Sequence, residues 1–110
     1  MRKSAIVKIF AWSAFLIISS AAWAAGDPVA GEKKTTMCIG CHGIDGYRTA
    51  YPKVYNVPKL GGQHNEYLIN ALQAYKTGAR NHPSMKAIAA TLSVQDIEDL
   101  SVYYATSSSK

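Results

Sequence analysis

The 110-residue chain reads as an all-α domain of three main helices and one short helix, joined by long loops. Two observations predict this. Apolar residues recur at helical spacing after His64 and after Ser93, bracketed by residues that start and stop helices. Residues 43 to 63, by contrast, are glycine-rich, contain Pro52 and Pro58, and show no convincing strand pattern.

Taken in order, residues 1–24 have the layout of a secretory leader: Arg2, Lys3 and Lys8, then IFAWSAFLII, then small residues up to Ala22-Trp23-Ala24. The apolar run, broken at Ser19 and Ser20, falls short of the roughly 18 residues a spanning helix needs. Cleavage after Ala24 and export to the periplasm are expected, leaving 25–110 as one domain. Asp27-Pro28 supplies an N-cap and a proline at the first helical position, which starts helix one over 28 to 42. Leu68, Leu72 and Tyr75 fall on one face and Gly78 follows as a left-handed C-cap, giving helix two over 64 to 77. A shorter helix is expected over 85 to 91. Ser93 with Asp96 forms a capping-box variant ahead of Ile97, Leu100 and Tyr104, giving helix three over 94 to 106. SSSK ends the chain as a frayed tail.

The formal charge of +5 overstates the basic character of the exported form. Three of the twelve basic residues lie in the leader, which leaves nine against seven acidic ones, a net +2. Nucleic acid is not an expected partner. Removing 24 of the 110 residues leaves 86, a size at which small domains commonly lean on a disulfide, a metal or another prosthetic group. Loops this long are uncommon in so small a domain unless they enclose something.

The stretch TMCIGCHGIDG contains both cysteines, Cys38 and Cys41, with His42 behind the second. In an oxidising compartment free thiols do not persist. A disulfide between them would close a very small ring and constrain little chain entropy. A thioredoxin-like redox pair lacks its strand–helix setting. Zinc remains a competitor, with His64 or His82 completing a set, although adjacent helical residues such as Cys41 and His42 point about 100° apart. That divergence suits haem c: Cys38 and Cys41, three apart on one face, form two thioethers to a porphyrin edge while His42 reaches iron.

If His42 fills one axial position, the other decides between electron transfer and chemistry at an open iron. Met37 precedes Cys38 on the anchoring helix and cannot reach the far face. Met85, in the loop ARNHPSMK, can fold back over the ring, with Pro83 fixing its approach; His82 is the competitor.

CIGCHG, then VPKLGGQHNEYLINALQAYKTGAR, the Met85 loop and LSVQDIEDLSVYYAT together resemble the single-haem bacterial class I cytochromes c, in particular those similar to one half of the two-haem bacterial cytochromes. The resemblance implies a cytochrome c fold wrapped around one covalent haem, attached through Cys38 and Cys41, with His42 and Met85 on iron. It also implies that the Pro58 carbonyl meets the far nitrogen of His42, that Gly31 lets Tyr103 or Tyr104 pack across helix one, and that Leu60, Leu68, Leu72, Ile88, Leu92, Ile97 and Leu100 line the pocket. Tyr47, Arg48, Tyr51 and Tyr55 are candidates to meet the haem carboxylates, and Lys76, Arg80 and Lys86 for a docking rim. The expected function is a monomeric electron carrier, not an enzyme and with no small-molecule substrate. Its expected partners are redox proteins: a membrane respiratory complex, or a periplasmic oxidase or dehydrogenase. An open sixth site serving as gas sensor or peroxidase, or a dedicated dehydrogenase subunit, is the alternative.

Overall fold

The computed structural model describes residues 25–50 and 53–108, and these described residues form five helices: α1 (Pro28–Lys33), α2 (Thr36–His42), α3 (Asn65–Thr77), α4 (Pro83–Ala90) and α5 (Val94–Thr106). The expected leader and Tyr51 lie outside the described residues. No helix among the described residues is long and apolar enough to cross a membrane.

Asp27 caps α1 as its sequence suggests, its side chain accepting the Val29 N–H at 2.9 Å with Pro28 next in line. Helix one is not continuous to His42, however. Thr35 turns its hydroxyl back to the Glu32 carbonyl at 2.8 Å, a local bond that competes with the helical ladder, and the chain restarts as α2 at Thr36. At the other end of the chain, Ser93 and Asp96 exchange side-chain-to-backbone bonds of 3.1 and 2.8 Å, so the shorter aspartate completes the capping box of α5. Gly78 closes α3 at φ 86°, the left-handed conformation that glycine adopts without steric cost. The short helix begins two residues earlier than expected. His82 acts as its N-cap and Pro83 takes the first position, which places Met85 inside α4 and not in the preceding loop.

Helix α5 is the spine of the fold, packing on α1 along one side and on α3 along another, with α4 laid against α3. Leu92, Ile97 and Leu100 form the buried cluster, and Cys38, Ile69, Leu72 and Tyr104 pack around it. The α1–α5 contact is close because Gly31 has no side chain: a Cβ there would sit 2.1 Å from the Asp99 carbonyl oxygen and 2.8 Å from Tyr103 Cβ. The residue opposite Gly31 is therefore Tyr103, and Tyr104 faces elsewhere. Asp99, buried on α5, accepts from the Asp27 backbone N–H at 2.8 Å and from Lys34 Nζ at 2.6 Å, and so holds both ends of α1. Among the described residues the long loop contains a single antiparallel bridge, Arg48 to Asn56. Thr49 pins it, its hydroxyl accepting the Tyr55 N–H and donating to the Lys53 carbonyl, both at 2.9 Å.

Candidate functional site

Helices α2 to α5 and the segment 55–60 surround a cavity of about 600 Å³, inside the roughly 300–1,000 Å³ typical of small-molecule and cofactor sites. Cys38, Cys41 and His42 enter it from α2, Met85 from α4, and Pro58 from the loop. Leu60, Leu68, Leu72, Ile88, Leu92 and Leu100 supply apolar wall. Ile97 does not. At 2 % exposure it is spent inside the core cluster, because its place on α5 faces Leu92 and away from the cavity.

His42 has one nitrogen settled by its neighbour. Its Nδ1 lies 2.7 Å from the Pro58 carbonyl oxygen. A carbonyl can only accept, so Nδ1 carries the proton and Nε2 keeps the lone pair available to a metal. Cys38 and Cys41 are not bonded to each other. Cys38 is half-buried, and in the chain without haem, burial pushes its thiol up. Burial, with Cys38 next to it, likewise pushes the Tyr104 phenol well up.

The two methionines separate clearly. Met37 is 49 % exposed and absent from the cavity wall, whereas Met85 is half-buried and in it. His82 also lines the cavity, but its Nδ1 accepts the Met85 backbone N–H at 3.3 Å. His64 stands outside as the residue before α3. No three His, Cys, Asp or Glu side chains among the described residues gather to hold a metal ion, which removes the footing of the zinc reading.

Of the residues considered for haem carboxylates, Tyr55 reaches the cavity and Tyr47 and Arg48 do not. Two of the three rim cations are engaged: Lys76 Nζ donates to the Leu92 carbonyl, and the Arg80 guanidinium stacks 4.7 Å over the Tyr75 ring at the cavity wall. Ser101, Tyr75 and Tyr104 also line the cavity and were not among the lining residues expected from the sequence. Ser101 and Tyr104 have buried hydroxyl oxygens with no protein partner. Their signal was available only in part, since Tyr104 shares a helical face with Leu100 but nothing local marks Ser101 as buried.

The cavity tests well against the group that the cysteine motif implies. Its walls are largely apolar, two thiols one turn apart stand at its edge, a lone pair on imidazole and a thioether come from separate helices, and two orphan hydroxyls border it. A small helical domain with these features is a covalent-haem-binding protein of the c type. The cytochrome c family model matches residues 29–108, and the chain belongs to the cytochrome c family. It accordingly carries haem c, covalently attached, with its iron.

Among its relatives, cytochrome c-554(548) of Halomonas halodenitrificans is 41 % identical over 85 residues, 74 % of this chain and 98 % of that protein. Cytochrome c4 of Pseudomonas aeruginosa is 38 % identical over 89 residues, covering 81 % of this chain and 42 % of its own length. The crystal structure of reduced recombinant cytochrome c4 from Pseudomonas stutzeri superposes with a TM-score of 0.62 at 37 % identity, covering 76 % of this chain and 46 % of that one. The chain thus spans less than half of either cytochrome c4 and nearly all of the c-554(548).

Proposed function

We propose that the chain is a single-haem electron carrier of the periplasm, attached to haem through Cys38 and Cys41, with His42 and Met85 as axial ligands. The observation that carries this reading is the pairing of His42 and Met85 on one cavity, with Nδ1 of His42 committed to Pro58. Haem supplies a one-electron Fe(III)/Fe(II) couple, and a thioether ligand, being soft, favours the ferrous state relative to a second imidazole.

The protein's own part is to orient, shield and hold. Pro58 fixes the rotation and tautomer of His42. Leu68, Leu72, Ile88 and Leu100 keep water from the interior and lower the local dielectric. Met85, half-buried on α4, would hold the iron opposite His42 and so leave no open position for a substrate, which suits a chain that passes electrons without substrate chemistry of its own. The leader at 1–24 would deliver it across the inner membrane, where a respiratory complex, an oxidase or a dehydrogenase would be donor or acceptor.

The test is spectroscopic. Holoprotein from a host that attaches haem c should show a denatured mass raised by one haem, a ferric sulfur-to-iron charge-transfer band, and no prompt carbon monoxide binding when ferrous. Met85→Ala should lose that band, admit water and lower the reduction potential. Prompt carbon monoxide binding by the unaltered protein would instead support an open-site sensor or peroxidase.

A further inference from the structure

The imidazole of His82 closes the N-terminus of α4. Its backbone is extended, at φ −151° and ψ 110°, and its Nδ1 accepts the Met85 N–H. Which amide it takes matters. Pro83 has no N–H to satisfy, and Lys86 already donates to the His82 carbonyl at 2.8 Å. Between them only Ser84 and Met85 are first-turn donors, and the cap engages Met85. Because Nδ1 accepts, the ring proton of neutral His82 stands on Nε2, and neither nitrogen is left as a free lone pair for iron.

Histidine is not a favoured cap; Asn, Asp or Ser make the same bond with less bulk. What the imidazole adds is a ring that can be packed. It is half-buried in the cavity wall, its centroid 4.4 Å from Tyr55 and 6.4 Å from Tyr75, and Arg80 covers the Tyr75 ring. Tyr55 in turn opens the four-residue segment that ends at Pro58, the acceptor for His42. One short stretch of chain therefore touches the cap of α4 at one end and His42 at the other.

The geometry points to His82 as the positioning residue of Met85: Nδ1 holds the Met85 backbone while Tyr55 and Tyr75 hold the ring. This rests on Met85 being the sixth ligand, and it gives His82 the task of holding that ligand instead of competing with it.

The experiment uses holoprotein carrying His82→Ala, His82→Asn or Met85→Ala. In the diamagnetic ferrous protein, hydrogen exchange at the Met85 amide should quicken about fivefold in His82→Ala, as expected where a cap is lost. Added imidazole should bind the ferric protein several-fold faster, because Met85 detaches more readily. His82→Asn restores an acceptor at the cap and should return both rates toward wild type. Unchanged rates in His82→Ala would overturn the assignment. So would lowered global stability without faster imidazole binding, which is what a purely structural role produces, and so would an equal defect in His82→Asn. Should His82→Ala yield no holoprotein, His82→Asn against wild type decides: rates within about twofold of wild type uphold the cap, and an increase of about fivefold or more, the full loss of a cap, sinks it. A Met85→Ala protein that keeps the wild-type ferric spectrum removes the ligand reading itself, an outcome distinct from any seen in the His82 variants.

Discussion

Asp99 is 3 % exposed and accepts from three donors, the Asp27 N–H, Lys34 and Gln95. Burial pushes its carboxyl up, but the bonds from Asp27, Lys34 and Gln95 outweigh burial and the net direction is down. Lys34 also bridges to Asp96 at 2.7 Å, and this contact, ahead of the Ser93 cap bonds, pulls Asp96 to about 2. Both carboxylates therefore sit below the roughly 3.9 of an unfolded aspartate. Their contribution is complete above that value and is lost as pH falls through the folded one, toward about 2 for Asp96. The Lys34 ammonium is raised, first by Asp96 and then by Asp99, so it stays charged across this window. Lys34→Ala should cost ~1–2 kcal/mol at neutral pH, less than the ~3–5 kcal/mol of breaking a fully buried pair, because the lysine is one-third exposed. In denaturant titrations its acid limb should also be shallower than that of the wild type. An equally steep acid limb would show that this network does not set the acid sensitivity.

At the scale of elements, the α1–α5 crossing turns on Gly31. Replacing a helical glycine by alanine ordinarily gains roughly 0.5–1 kcal/mol. Here the new methyl would meet the Asp99 carbonyl at 2.1 Å, backbone that cannot swing aside. Overpacking of that kind costs ~1–3 kcal/mol, so the clash wins. Gly40 in α2 is the control, since a Cβ there meets nothing within 4 Å. Gly31→Ala should lower the denaturant midpoint of the holoprotein and Gly40→Ala should raise it slightly; the same sign in both would refute the close-packing account. The elements themselves were largely legible in the sequence where local chemistry decides them. Gly78 and the Ser93–Asp96 pair mark the ends of α3 and α5 within a residue. The break at Lys34–Thr35 was legible only in part: the Thr35 bond to Glu32 is local, but the pull of Asp96 and Asp99 on Lys34, more than sixty residues away in sequence, is not. The early start of α4 was hidden for a different reason: a histidine rarely caps, so the His82-Pro83 pair read as loop.

For the molecule as a whole, CIGCH announced the cavity's edge but not its size. Only tertiary packing brings Ser101 and Tyr104 of α5, Tyr75 of α3 and Tyr55 of the loop to one wall; helical spacing puts Tyr75 and Tyr104 on apolar faces, but nothing local marks Ser101. What the cavity does to stability follows from its volume. The buried apolar residues among those described are few: Leu68, Ala89, Leu92, Ile97 and Leu100. Left unfilled, a cavity of about 600 Å³ would deprive its apolar wall of packing partners on one side. Haem is thus a large part of the core, and a chain unable to attach it should not keep this shape. Cys38→Ala combined with Cys41→Ala should give apoprotein whose thermal melt, followed by far-ultraviolet circular dichroism, lacks the cooperative transition of the holoprotein. Water entering from the open side can soften the penalty but cannot replace the lost contacts along Leu68, Leu72 and Ile88. A sharp cooperative melt in the double variant would mean that α1, α3 and α5 suffice as a core, and that haem is a passenger in the fold instead of part of it.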